Sequence, residues 1–446
     1  MVTPSSKRVR IVGALVLLAI AAWLVASFAF GFSAVDLTLR LVDGGMGTYM
    51  SVFFAAVGLR YAALICFSFM EHIDNLLYDK GQPDERDDDM LPFISIVIPA
   101  YNEGVLIQSS IRSLLAVDYP NYEILVVDDG STDDTYACAM EIARAEQRVR
   151  IRVFTKPNGG KSDALNVGMA RAHGEFILNM DGDTLLNSQA LRKCIRHFDD
   201  PQIGAVAGNI KVYNRENLLT CMQSLEYIEG LAMARKAQSY ARVCNVIPGP
   251  LGMFRKAALM QVCGYDHDTF AEDCDLTLKL LRVGWHIAYE PAAIAWVETP
   301  SRVLDLIKQR YRWSRGVLQA IVKHKDNLWN PRKGGINFFI LWGMLFENII
   351  WPVTNVMSNL VFIYIGIQYG VLLLLLYWWL QLTLLDIIAA IYCVTVERED
   401  ISIVFLAPFF RIFYILFVDV VKVLANLEEF LGLKMTWGKL QREGKI

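Results

Sequence analysis

Between Gly335 and Val396 the chain carries only two formal charges, Glu347 and Asp386. A stretch so long and apolar is satisfied by at least two helices crossing a hydrocarbon layer ~30 Å thick, where every backbone polar group must be paired internally. Three more runs have this character. Ile11 to Phe32 has no charge, Met46 to Met70 is interrupted only by Arg60, and Ile401 to Leu424 is broken by Pro408, Arg411, Asp419 and Lys422. The chain is expected to be a polytopic membrane protein with four or five spans. The first run exceeds the ~7–15-residue core of a signal peptide and a second span follows it, which disfavours cleavage.

Lys7, Arg8 and Arg10 precede the first run, so the positive-inside rule puts the N-terminus in the cytoplasm and returns the chain there near Glu71. The basic tail "GKLQREGKI" belongs on the same side, which favours an even number of spans with Ile401–Leu424 re-entrant or kinked at Pro408. The expected organisation is two N-terminal spans (1–70), an acidic linker (71–90), a cytoplasmic domain (91–300), an amphipathic helix (301–334), a C-terminal membrane region (335–427) and a basic tail (428–446). Eight cysteines without a C-x-x-C suggest neither a disulfide framework nor zinc, and no long basic run suggests nucleic acid.

Within the middle domain, "FISIVIPA", "YEILVVDDG", "RIRVFTK" and "EFILNM" are short apolar runs separated by helix-like stretches, with "GAVAG" as a fifth strand. Such alternation predicts an α/β domain with a mostly parallel sheet. Ligands bind beyond the carboxyl ends of such strands. Acids stand there repeatedly: Glu103 after the first strand, Asp128 and Asp129 after the second, Asp181 and Asp183 after the fourth. No G-x-G-x-x-G follows the first strand, and "NGGKS" lacks the first glycine of a phosphate loop, since position 155 is Thr. Lys161 can still face an anion. Asp181 and Asp183, one glycine apart, can present oxygens to Mg²⁺ or Mn²⁺ while phosphates complete its shell.

"PAYNE", "VVDDGSTDDT", "NGGKSDALN", "MDGDT", "GPLGMFR", "AEDCDL" and "QRYRW" follow one another in this order. The set resembles the family 2 glycosyltransferases, and more narrowly the processive membrane synthases of cellulose, chitin, hyaluronan and poly-N-acetylglucosamine. The resemblance covers about Ser95 to Arg315 and implies a GT-A-like nucleotide-sugar domain set between membrane helices. It implies that Tyr101, Glu103, Asp128 and Asp129 hold the nucleotide end of a UDP-sugar donor, with Lys161, Asp181 and Arg312 on its diphosphate side. Asp181 and Asp183 would be the metal ligands. Asp273 would be the general base, positioned by Glu272, whose like charge could raise one pKa of the pair toward a useful value. Gln309 and Trp313, with Gly249, Pro250 and Leu251, would meet the acceptor.

Gln309, Arg312 and Trp313 fall on one face of a helix. Val303, Ile307, Tyr311, Leu318 and Ile321 suggest that this helix lies in the membrane interface or packs on a core. Arg60, Glu347, Arg411 and Asp419 are expected to pair or to line a glycan path. Trp342, Trp351, Trp378 and Trp379 are expected in an interfacial belt or against sugar. The partners implied are a UDP-sugar, a growing polysaccharide, membrane lipid of a bacterial plasma membrane, and room for a small membrane partner subunit. N-acetylglucosamine is the first choice of sugar, although "GPLGMFR" is more similar to hyaluronan and chitin-oligosaccharide synthases. The alternatives are a synthase of another β-glycan of the hyaluronan, chitin or cellulose type, and a non-processive transferase of one sugar to a lipid carrier.

Overall fold

The computed structural model describes residues 44–81, 87–329, 335–369 and 372–433, with Leu15 and Leu18 as isolated positions. Apart from Leu15 and Leu18, the expected span Ile11–Phe32 lies outside the described residues, as do the tail beyond Leu433 and the side chain of Trp378.

The α/β unit is built on β1 (Ile94–Ala100), flanked by β2 (Tyr122–Asp128) and β4 (Phe176–Asn179), with β3 (Arg150–Thr155) outside β2. All four run parallel. Every residue of β1, β2 and β4 is buried. That is why their sequences read as mainly apolar runs, interrupted by buried Ser95 and Glu123, and not as alternation. Helices Ile107–Leu115, Thr135–Ala145 and Lys161–Arg171 make the connections.

Beyond β4 the sheet changes direction. β7 (Gly252–Arg255) inserts antiparallel between β4 and β6 (Ile203–Val212), β8 (His286–Val297) runs parallel to β6, and β5 (Thr184–Leu186) closes the edge antiparallel to β8. The "GAVAG" strand is thus longer than expected, and "GMFR" is a central strand. Pro291 interrupts β8, whose register against β6 jumps from Glu290 opposite Gly208 to Ile294 opposite Asn209. A residue without an N–H cannot continue a ladder.

Four described helices are long and apolar enough to cross a membrane: Gly45–Asn75, Phe338–Gln368, Trp379–Glu397 and Ile401–Phe430. Several of their charges are paired or hydrogen-bonded. Arg60 grips Glu347 with two bonds of 2.8 Å. Arg411 does the same to Asp386 at 2.6 and 2.5 Å, and Tyr61 adds a bond of 2.8 Å to Asp386. Asp419 accepts from Asn355 at 2.7 Å. The last helix is not uniform: a 3-10 turn, Pro408 near the start of a short α turn, and a π segment Phe410–Ile415 precede its regular part. Such π segments arise where side chains are re-aimed inside a helix, and this one carries Arg411 and Tyr414.

The α/β unit is fastened to these helices. Met222, Leu225, Ile228 and Met233 pack with Phe53, Val57 and Ile65 of the first described span in one buried cluster. Glu397, at the end of its span, receives Lys236 and accepts from Asn209 of β6 at 2.7 Å. Glu399 pairs with Lys211 at 2.7 Å and Arg215 at 2.6 Å.

Candidate active site

The acids after β1, β2 and β4 are brought together by the parallel register, because Ala100 stands opposite Asp128 and Val97 opposite Asn179. The loop after β1 is bonded to the loop after β2: Asn102 Oδ1 accepts the Thr132 N–H at 2.7 Å, and Thr135 Oγ1 accepts that of Glu103 at 2.7 Å. Tyr101 is exposed at the rim. Asp128 is buried and accepts from Thr155 Oγ1 at 2.8 Å. Asp129 accepts the backbone N–H groups of Gly159 (3.0 Å) and Gly160 (2.8 Å) and the Lys156 ammonium (2.5 Å). Its carboxylate therefore organises the "NGGKS" turn from which Lys161 projects.

Lys161 is the hub. Its Nζ lies 2.7 Å from Asp181 Oδ1 and 2.9 Å from Glu272 Oε1. Burial opposes its charge, but Asp181 and Glu272 hold its pKa well above that of a free lysine. The positive charge beside Asp181 is therefore a lysine of the chain itself. Asp183 is buried close by, and Gly182 between the two acids lies against Glu103, whose Cγ would be 3.4 Å from a Cβ placed there. Gly249 closes the other side, where a Cβ would stand 2.9 Å from Lys161 Nζ and 3.4 Å from Asp181 Oδ2. The glycine is thus what admits the lysine–aspartate pair.

Glu272 and Asp273 open the helix Glu272–Arg282. Burial, followed by the repulsion of Glu272, lifts Asp273 to about 6, although Lys161 and the Cys274 N–H at 2.7 Å favour its charge. For Glu272, burial is outweighed by the attraction of Lys161 and then of Arg312, and its pKa is lowered. The two carboxyls are thus driven apart, one an anion and the other poised near neutrality. Arg312 brings the "QRYRW" helix, Val303–Lys323, to the site.

On that helix Trp313 is half-buried under the Arg310 guanidinium, 4.2 Å from the ring centre. Arg310 also donates to Gln309 Oε1 at 2.9 Å, so the Gln309 side chain is buried and engaged. Of the expected apolar stripe, Leu318 and Ile321 are buried with Leu306, whereas Val303 is exposed. Leu251 is fully buried against Gly208 of β6, so the acceptor-side expectation there falls to Gly249 and Pro250.

Sequence reasoning passed over Tyr265, buried and accepting from Asn179 Nδ2 at 2.5 Å; it lies between two motifs and belongs to neither. One further acid group, Asp266, Asp268 and Asp275, has carboxylate oxygens within 4.8 Å of one another. Lys323 occupies that cluster, at 2.7, 2.7 and 2.9 Å from the three, and balances its charge.

A sheet of this order, with acids beyond β1, β2 and β4 and a poised carboxyl on the facing helix, has the GT-A-like arrangement of nucleotide-sugar glycosyltransferases. The family model described as "Glycosyltransferase like family 2" matches residues 92–316, and the chain belongs to that family. It is 32% identical over 263 residues to the poly-beta-1,6-N-acetyl-D-glucosamine synthase of Staphylococcus aureus (strain COL), covering 59% of this chain and 62% of that protein. It is 31% identical over 260 residues to the enzyme of the same name from Staphylococcus epidermidis, covering 58% and 62%. The match thus spans about three-fifths of the length of these relatives. Among solved structures, the mannosyltransferase PcManGT from Pyrobaculum calidifontis, in complex with GDP-Man and Mn²⁺, superposes with a TM-score of 0.58 at 18% identity, over 84% of this chain and 99% of that one.

Proposed function

We propose that the protein transfers N-acetylglucosamine from its UDP derivative to the end of a growing β-linked polysaccharide, and that synthesis at the cytoplasmic face is coupled to export through the membrane helices. The observation that carries this reading is the junction at Lys161. One ammonium joins Asp181, on the donor side, to Glu272, beside the poised carboxyl of Asp273. Relatives named for poly-N-acetylglucosamine synthesis support the choice of sugar.

In this mechanism Asp273, ionised above about pH 6, accepts the proton of the acceptor hydroxyl. The oxygen attacks the anomeric carbon as its bond to the diphosphate breaks, and one displacement inverts the α linkage of the donor to β. Lys161 and Arg312 meet the charge that grows on the departing diphosphate. Tyr101 and Glu103 at the rim and the remaining lone pairs of Asp129 would hold the uridine. Asp128 would support Asp129 from beneath. Trp313, stacked against Arg310, would offer its ring to the terminal sugar, and Gly249 and Pro250 would also meet the acceptor. Asp181 and Asp183 are hard oxygen donors that fit Mg²⁺ or Mn²⁺, which when bound supplies further charge stabilisation at the diphosphate.

The test is turnover of the purified full-length protein against a panel of UDP-sugars, with product mass and linkage analysis. Long β-linked N-acetylglucosamine chains are expected. Single-sugar glycolipids would instead establish transfer to a lipid carrier.

A further inference from the structure

The turn leading into Glu272 and Asp273 is pressed against the helix Val303–Lys323. Gly316 marks the closest approach: a Cβ there would stand 2.7 Å from the Ala271 backbone nitrogen and 2.9 Å from the Phe270 carbonyl carbon. Ala271 flanks the base helix and gives it no side-chain cap, so the placement of that helix start depends on what holds its backbone from outside.

One turn beyond Gly316, Gln319 does this. Its Oε1 accepts the Phe270 N–H at 3.0 Å, and its Nε2 donates to Glu429 Oε1 at 3.0 Å. Glu429 lies in the final turn of the last membrane-capable helix, and its second oxygen receives Arg315 Nε at 2.6 Å. Arg315 Nη2 also donates to the Leu433 carbonyl at 2.6 Å, tying down the end of that helix. An ionised carboxylate can only accept hydrogen bonds, so Glu429 can meet only the NH₂ edge of the Gln319 amide. That fixes which way the amide faces and reserves its oxygen for Phe270.

We propose that Gln319 is a positioning residue for the reaction: oriented by Glu429, it sets the backbone at Phe270 and thereby the place of Asp273. The assignment rests on the reading of Asp273 as the base. It also makes the cytoplasmic end of the last membrane helix part of the support of the active site, three residues from Asp273 through a single side chain.

The test uses full-length protein in lipid nanodiscs with UDP-N-acetylglucosamine. Gln319→Met keeps the side-chain length and removes both hydrogen bonds. Its kcat is expected to fall about ten-fold with the donor KM within about two-fold, since loss of alignment costs rate and not ground-state binding. Deuterium uptake at the backbone amides of residues 268–274 is expected to rise. Glu429→Gln, which frees the amide to turn, is expected to give smaller changes in the same direction, and the double variant should be no worse than Gln319→Met alone. Wild-type kcat in Gln319→Met, a change confined to KM, unchanged exchange, or additive effects of the two substitutions would each overturn the proposal. Asp273→Asn assayed alongside separates the two readings. Full turnover there refutes the base, whereas turnover lost there with wild-type kinetics in Gln319→Met refutes the positioning role alone. If Gln319→Met does not fold, Glu429→Gln, which alters no atom of the helix packed on Phe270, decides by the same readouts.

Discussion

Replacing Glu272 by Gln should move the pH dependence of turnover in a direction that the site geometry fixes. Asp273 is raised from 3.8 to about 6, first by burial and second by Glu272. The substitution leaves the burial and removes the repulsion, and it frees Lys161, now 2.9 Å from Glu272, to favour the Asp273 anion more strongly. Both effects lower the Asp273 pKa. With Glu272 only the second cause, the acidic limb of kcat should move down by at most about one pH unit. At pH 5 a carboxyl of pKa 6 is about 9% ionised and one shifted down by a full unit about half, so the variant should retain up to roughly five-fold more of its own plateau rate than the wild type. Initial rates of UDP release by full-length protein between pH 5 and 8, at saturating donor, read this directly. An acidic limb that stays in place, or moves to higher pH, refutes the account of how the two carboxyls are divided.

Asp273→Asn should abolish turnover yet raise stability at neutral pH. The folded protein holds the Asp273 proton more tightly than the unfolded chain, so this group's contribution is full below about pH 4 and is lost as pH rises through about 6. The gap from 3.8 to about 6 corresponds to at most about 3 kcal/mol, reduced by the part of Asp273 that remains in water. The melting advantage of the variant should therefore shrink toward pH 4. Gly316→Ala sets a methyl group 2.7 Å from the Ala271 backbone nitrogen, so the backbone there must shift, and should lower kcat at least ten-fold by displacing the helix that starts at Glu272; single-turnover rates check it. Lys236→Met leaves buried Glu397 with only Lys211, 4.0 Å away, as a cation and should cost up to about 3 kcal/mol, seen as a lower thermal midpoint in detergent, with Lys236→Met/Glu397→Gln recovering most of the loss.

The half of the sheet whose strands lead to the candidate acids was legible because β1, β2 and β4 are buried on both faces and end at or just before acids. The other half was not. β5 has three residues, β7 has four and obtains its pairing from β4 and β6 on either side, and Pro291 breaks the pattern of β8. Strands of that kind exist by virtue of their neighbours, which local pattern does not report. At the site, the sequence marked Asp181, Glu272 and Lys161 separately, but not that one ammonium joins them across more than a hundred residues. The partners of Arg60 and Arg411 were hidden for the same reason: charge in an apolar run announces a partner without saying which.

The acids at the ends of two membrane helices bear on whether the soluble portion is a separable module. Lys236, almost wholly enclosed, finds its counter-charge in Glu397, and Arg315 finds its own in Glu429. An excised fragment that ended before residue 335 would strand both cations and bare the apolar residues that meet Phe53, Val57 and Ile65. Water-soluble truncations of this chain should therefore be expected to clump or to lose their shape, and the smallest unit worth purifying is one that retains its lipid-embedded half.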